Sequence, residues 1–577
     1  MMKDLWTEKL KQRARGEYFD ETTASAIGWK SVWHRFEPLT PFGKELKAGL
    51  QPFLPGEEEA LERELDVVLG ADEAWRRNGA QFADITSILS GIRDLRGSVA
   101  KASAGGVLDT VELYEMKRFC MSVKELRDRL KESGWAYPKD VEPFDLEGLL
   151  DVLDPSGRRD RTFFIDEAFS EGLARIRLER RKKEKAYRER MAAIQEKVAA
   201  DLGMSPNFRG EIPISKADEE CLARARVHPN LAYVRESAGY TYFQVTEDAK
   251  ARRIAEALEK LKEREYKEEA RVRARLSRQV GVRSAVLLET MRRVGRLDFL
   301  LAKARMAYEM DAVKPVIARG GVLEVEEGRH PVIEDALRKK GKRFVPVSIA
   351  LKNGVAVITG PNMGGKTVTL KTVGLLCAMA QFGFLVPAKS FRLSLRRYIY
   401  FSAIEDGQAV GLSSFGMEIA GLKSALRRRN ESGLILLDEL SRGTNPREGF
   451  ALSAAVIRYL KDTNSITVFA THYDGLGAIE GVAHWQVRGL AGVNLAEAFE
   501  RLSAKSPVDA GLDWLQEHMD YRLQQVSGDA ETPKDALVVA RLLGLDEEVL
   551  KAAERVLKSK KSCVEGVDTG GVRPAAN

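Results

Sequence analysis

The stretch that most constrains this chain begins at Val355. Val355-Ala-Val-Ile-Thr reads as a buried strand, and Gly360-Pro-Asn-Met-Gly-Gly-Lys-Thr367 follows it directly. From Thr367 to about Met379 the pattern is helical. Glycine, four residues, Gly-Lys and a hydroxyl residue, set between a strand and a helix, is a phosphate-binding loop. Its glycines let backbone N–H groups curl round phosphate oxygens, and the helix adds its positive dipole end. In this reading Gly360, Pro361, Asn362, Met363, Gly364, Gly365, Lys366 and Thr367 hold a nucleoside triphosphate. Lys366 neutralises the β- and γ-phosphates, and the Thr367 hydroxyl ligates magnesium.

The rest of the composition sets limits. A chain of 577 residues has length for several domains. Its 44 % hydrophobic and 31 % charged content describes a soluble protein rich in exposed helices. A net charge of +7 is too mild over this length to require nucleic acid. Cys120, Cys221, Cys377 and Cys563 lie far apart and fit no metal spacing, as expected for reduced thiols in the cytoplasm. The first residues lack the apolar core of a signal peptide, and no run of about 18 apolar residues predicts a membrane span.

Residues 1–163 read as a helical core, with apolar residues at three- and four-residue spacing in Leu61–Leu69 and Val111–Leu130. Two long charged helices are expected next within 164–312, one from about Phe164 to Leu202 and one from about Asp248 to Ala312. Between them, near 231–246, one β-hairpin is expected from Leu231-Ala-Tyr-Val-Arg and Tyr240-Thr-Tyr-Phe-Gln-Val. Between Leu173 and Arg190 the first helix carries nine Lys or Arg against three Glu. That face is either simply solvated or follows a phosphate backbone. A connector is expected over 313–345. Over 346–557 strands and helices alternate as in a parallel α/β domain. A polar, disordered tail is expected over 558–577.

Two further strands end in chemistry. Leu434-Ile-Leu-Leu-Asp438-Glu439 closes on two carboxylates, Asp438 to hold magnesium and Glu439 to polarise the attacking water. Ile466-Thr-Val-Phe-Ala-Thr-His472 places a histidine where a γ-phosphate sensor sits. Glu439, His472 and Lys366 are thus the candidate catalytic residues, with Thr367 and Asp438 as metal ligands.

The motifs Thr359-Gly-Pro-Asn-Met-Gly-Gly-Lys-Thr, Leu437-Asp-Glu-Leu-Ser-Arg-Gly-Thr-Asn and Phe469-Ala-Thr-His-Tyr, in this order, resemble those of the MutS family of ATPases. Leu297-Asp-Phe-Leu-Leu-Ala-Lys-Ala-Arg and Gly328-Arg-His-Pro resemble the shorter, second branch. The resemblance implies lever helices with a reduced clamp, then an ABC-type P-loop domain with a C-terminal dimerisation segment. It further implies ATP and Mg2+ as cofactors and a homodimer with composite sites. Ser413 or Ser414 would reach the partner's γ-phosphate, and Ser441-Arg-Gly-Thr444 would cross the interface. Phe344, and by a looser match Tyr521, would contact adenine.

An N-terminal mismatch-reading domain and a C-terminal nuclease module are expected to be lacking. Gly16-Glu-Tyr-Phe-Asp-Glu echoes the family's Phe-x-Glu wedge only by chance composition, since the strand pattern round it is missing. The expected function is DNA-directed ATP hydrolysis in mismatch repair or recombination without direct mismatch reading. The alternative is an ATP-driven reactivating factor for a protein partner such as a cobalamin-dependent lysine aminomutase. In either case Lys366→Ala should abolish nucleotide binding or turnover, checked by equilibrium binding and phosphate release.

Overall fold

The computed structural model describes residues 18–160, 162–361, 364–402, 412–441, 445–490, 514, 517–527, 536–543 and 545–564. Its first half is helical: α1 (Glu21–Ala26), α2 (Trp29–Arg35), α3 (Pro41–Gly49), α4 (Glu58–Arg77), α5 (Gly79–Ser90), α6 (Arg96–Ser103), α7 (Thr110–Glu132) and α8 (Glu147–Leu153). Local chemistry starts these helices. Asp109 and Glu112 form a reciprocal capping box on α7, and Thr40 caps α3 ahead of Pro41. The apolar stripe of α7 (Leu113, Met116, Cys120, Val123, Leu126, Leu130) then buries itself at helical spacing.

The arm follows. It consists of α9 (Glu171–Leu202), β1 (Glu211–Ser215), α10 (Glu219–Val227), β2 (Leu231–Glu236), β3 (Tyr240–Val245) and α11 (Ala249–Val282), and α12 (Ser284–Glu309) returns to the core. At 1.5 Å per residue, α9 extends roughly 48 Å. Two expectations are corrected here. The tip is a three-stranded sheet in the order β1-β3-β2 plus a short helix, not one hairpin. Its small core joins Ile212, Ile214, Leu222 and Phe243 to Ile194 and Val198 of α9. The second long helix is broken at Arg283 into α11 and α12.

The C-terminal part is α/β. It comprises β4 (Val316–Ile317), β5 (Val322–Gly328), α13 (Pro331–Lys339), β6 (Val347–Lys352), β7 (Gly354–Thr359), α14 (Lys366–Gln381), β8 (Ser390–Leu393) and β9 (Tyr398–Ser402). It continues with α15 (Leu412–Arg427), β10 (Gly433–Asp438), α16 (Pro446–Leu460), β11 (Ile466–Ala470), β12 (Ala483–Gly489), β13 (Asp520–Gln525), α17 (Ala536–Leu542) and α18 (Glu547–Val564). A six-stranded sheet has the order β13-β12-β7-β11-β10-β9, parallel except for β13. A second sheet has the order β4-β8-β5-β6. The expected connector therefore supplies β4 and β5 to this sheet. Helix α18 likewise continues to Val564, into the region expected to be a disordered tail, and residues 565–577 lie outside those described.

The N-terminal segment leaves the helical core to cover the edge strand β9. The Tyr18 carbonyl accepts from Ile399 N at 2.7 Å, and the Thr23 hydroxyl accepts from Phe401 N at 3.3 Å. The Tyr18 ring is buried, 5.9 Å from that of Phe382. Phe19, the aromatic of the Phe-x-Glu echo, is partly buried against the core with its ring 5.8 Å from that of Trp29, so it is packing and not a wedge. No helix among the described residues is long and apolar enough to cross a membrane.

The two halves meet at α12 and the end of α14. Asp298 of α12 accepts from Leu39 N, Thr40 N and the Thr40 hydroxyl, which seats α3. Lys303 of α12 has a side chain with 0 % exposure. It donates to Glu64 Oε1 at 2.9 Å and to the Phe382 carbonyl, the C-cap of α14, at 3.0 Å. Arg296 also pairs with Glu64. Burial pushes the Glu64 carboxyl up, but Lys303 and Arg296 outweigh it and hold the pKa to about 2. Burial pulls Lys303 below its usual range, so the pair contributes less than the carboxylate alone would suggest.

Removing one partner of such a pair leaves a buried charge uncompensated. Lys303→Met should cost about 3–5 kcal/mol in denaturant unfolding, and Glu64→Leu with Lys303→Met should recover most of it. Because the folded-state pKa of Glu64 lies below its unfolded value, its contribution is present above the unfolded value near 4.5. It should disappear as pH falls towards about 2. Glu64→Gln should flatten that acid limb.

Candidate nucleotide-binding site

Strand register brings the sequence motifs together. Ile358, Ala470 and Asp438 stand side by side on β7, β11 and β10, so all three motifs leave the carboxyl ends of adjacent parallel strands. That is where open α/β sheets bind ligands. The strands are held in step beyond the sheet proper: Thr471 N donates to Ile358 O and Glu439 N to Ala470 O, each at 3.0 Å.

The loop between β7 and α14 needs its glycines at two points. Gly360 has φ +143°, and a Cβ there would lie 2.9 Å from Val487 Cβ. Gly365 has φ +79°, and a Cβ would lie 3.1 Å from the Tyr521 ring. Pro361 and Gly364 close a turn, with Gly364 N donating to Pro361 O at 2.9 Å. Lys366, the first residue of α14, turns its ammonium back into the loop. It donates to the carbonyls of Gly360 and Pro361 at 2.8 and 3.0 Å and lies 3.7 Å from Glu439 Oε1. Asn362 and Met363 lie outside the described residues.

The Thr367 hydroxyl donates to Asp438 Oδ2 at 2.7 Å. Asp438 Oδ1 is buried and has no hydrogen-bond partner among the described residues. Burial pushes the Asp438 carboxyl above its usual range, with the Thr367 hydroxyl pulling the other way. A hydroxyl and a carboxylate with one orphaned oxygen, facing a phosphate loop, form a hard oxygen donor set that fits Mg2+. His472 is partly exposed, with Nδ1 3.8 Å from Glu439 Oε1. Glu439 thus lies between Lys366 and His472, and three of the predicted groups converge on one point.

Other expectations fare differently. Tyr521 packs over the loop at Gly365. Phe344 is half-buried in the segment before β6 and makes no aromatic contact among the described residues. Lys342 of that segment acts electrostatically on Tyr521. The side chains of Ser413 and Ser414, and residues 442–444 with Thr444, lie outside those described.

Two buried residues went unread in the sequence. His484 donates from Nδ1 to the Ser527 carbonyl, so its Nε2 accepts the Thr359 hydroxyl at 2.8 Å, directly beneath the loop. Glu418 of α15 accepts from Ser441 N. Neither sits in a spacing that marks it, because both act across elements distant in sequence.

Comparison with known proteins agrees with this geometry. The family model for MutS domain V matches residues 356–561, which contain all three strand-end motifs. The chain belongs to the MutS family. Among curated relatives named Endonuclease MutS2, that of Symbiobacterium thermophilum is 32 % identical over 400 residues, covering 67 % of this chain and 48 % of the relative. That of Shouchella clausii is 28 % identical over 498 residues, covering 83 % and 58 % respectively. That of Brevibacillus brevis is 27 % identical over 542 residues, covering 91 % and 63 %. The chain therefore spans about half to three-fifths of the length of these MutS2 relatives.

Within this MutS-family site, Asp438→Asn keeps an acceptor for Thr367 but loses the carboxylate charge. Magnesium-dependent hydrolysis should fall about 100-fold or more. The unfolding midpoint should stay within about 2 °C of the parent. A variant that hydrolyses normally would remove Asp438 from the metal site.

Proposed function

We propose that the protein is a MutS-type ATPase with an ABC-type nucleotide domain, acting as a dimer on DNA in repair or recombination. The observation that carries this reading is the convergence of Lys366, Thr367, Asp438, Glu439 and His472 at the ends of three adjacent parallel strands. In the proposed reaction the glycine loop and Lys366 bind the β- and γ-phosphates of ATP. Thr367 and Asp438 hold Mg2+, which neutralises developing phosphate charge when bound. Glu439 orients the attacking water and takes its proton, while His472 senses the γ-phosphate. Phe344 and Tyr521 flank the base, and Ser413 or Ser414 acts across the dimer.

The arm is the proposed DNA-contacting part. Cations of the tip sheet are engaged locally, Arg235 with Glu211 and Lys216 with Glu236. On the shaft, Lys182 and Lys183 are exposed and have no carboxylate partner among the described residues. These cations, together with Arg224 and Arg226 of the tip helix, which are exposed and also lack a carboxylate partner among the described residues, suit a phosphate backbone.

Three measurements test the reading. Glu439→Ala should bind ATP and hold it without turnover, and rapid turnover would remove it as the water-activating group. Branched or duplex DNA should stimulate the parent ATPase at low salt and lose that effect steeply as salt rises. Lys182→Glu with Lys183→Glu should abolish the stimulation and leave basal turnover unchanged. An ATPase indifferent to every DNA form would overturn the DNA assignment, and co-purification with a mutase would then favour the reactivating role.

A further inference from the structure

The turn after β10 is held in an unfavourable conformation. Glu439 and Ser441 are not glycines, yet they have φ of +50° and +66°. Left-handed conformations of this kind cost of order 1–3 kcal/mol each and persist only where the surroundings over-determine them. Leu440, between the two, is buried in the core with Leu437 and Phe469. One backbone anchor lies on each side of it. Glu439 N donates to Ala470 O at 3.0 Å, and Ser441 N donates to Glu418 Oε2 at 3.4 Å.

Glu418 is an unusual choice of anchor. It is 9 % exposed, and no lysine or arginine pairs with it among the described residues. Burial pushes its carboxyl above the usual range, and the bond from the Ser441 amide pulls it back. The Tyr400 ring lies close enough to feel its charge. A buried carboxylate is expensive to keep charged, and a neutral side chain of the same size would pack there at lower cost. Its offsetting gain is control of the turn that carries Glu439.

We propose that Glu418 is a positioning residue for ATP hydrolysis. Its carboxylate holds the Ser441 amide, fixes the left-handed turn and so aims the Glu439 carboxylate, and it ties this turn to α15. The inference rests on the ATPase reading above. A shift of α15 relative to β10 lengthens the Glu418–Ser441 bond and frees the turn to relax. Turnover is thereby made conditional on the placement of α15, while the phosphate loop, on the far side of β11, keeps its shape.

The test uses the full chain and two variants of near-equal volume. Glu418→Gln keeps an oxygen that accepts from Ser441 N, and Glu418→Met does not. Glu418→Met should lower kcat roughly 10-fold or more with KM for ATP within about 3-fold of the parent, the pattern of a lost transition-state interaction. Glu418→Gln should stay within about 3-fold of the parent in both. Amide hydrogen exchange at Ser441 should accelerate about 10-fold or more in the Met variant only. Parent-like kcat and parent-like exchange in the Met variant would overturn the proposal, as would equal loss of kcat in both variants. If the parent itself shows no hydrolysis, the ATPase reading fails, and Ser441 exchange still decides whether Glu418 holds the turn.

Discussion

Helix α14 is the member on which both halves of the protein bear. Its N-terminus is the phosphate loop, where free N–H groups and the positive dipole end favour an anion. Its C-terminus is sunk into the helical half. Phe53 N donates to Gln381 O at 2.7 Å, the Gln381 amide donates to Phe53 O at 2.8 Å, and Lys303 donates to Phe382 O. The negative dipole end thus meets a buried ammonium, and close by the backbone N–H of the buried Arg396 donates to Gln381 Oε1 at 2.8 Å. Opposite charges favour opposite ends of one rigid element. Since α12 carries Lys303 and follows α11 of the arm after one residue, the arm and the phosphate loop are joined through this helix.

The site has two kinds of rigidity. The loop is shaped by glycine conformations that other residues resist, and by the His484–Thr359 bond beneath it. The turn at Glu439 is shaped instead by residues that resist their own conformation and are held by neighbours. The first kind is intrinsic and survives movement of the surroundings. The second depends on α15 and β11 remaining in place. In the proposed reading, a phosphate loop of fixed shape beside a carboxylate whose placement depends on α15 would separate binding from turnover in physical terms.

Much of the site was legible in the sequence because its chemistry is local. Each motif is a short strand followed by its functional residues, so hydrophobic runs and their polar ends identified Lys366, Asp438, Glu439 and His472 together. Parallel pairing then did what the sequence order implied. The errors have a common cause in non-local pairing. Strand β1 is five residues long with Pro213 inside it, and only its partnership with β3, thirty residues on, makes it a strand. Strand β5 is recognisable only between β6 and β8. The break at Arg283 is likewise invisible to periodicity, because helical spacing continues on both sides. Tyr18, Glu418 and His484 were unreadable for the same reason, since each acquires its role from a partner on another element.

The arm shows how polar contacts can replace a core where a helix pair stands in water on both sides. Helix α9 buries Leu173 and Ile176 near its base and Ile194, Val198 and Leu202 near its tip. Between them Leu258 and Leu261 of α11 are buried, but most of the seam is polar: Arg177 bonds Glu265 and Glu269 at 2.7 and 2.8 Å, Arg180 lies 3.2 Å from Glu265, and Tyr187 bonds Glu247 just before α11. Exposed pairs of this kind contribute little each, but Glu265 is largely buried and would be left unpaired by any slip of register. The seam therefore specifies alignment more than it supplies stability. Cohesion comes from the two apolar ends, one in the helical core and one in the tip sheet, with Leu258 and Leu261 buried between them. Such an arm keeps a fixed register along its length while its middle stays open to ions. That is the physical property the proposed DNA-contacting arm would need in order to move as a unit along a charged polymer.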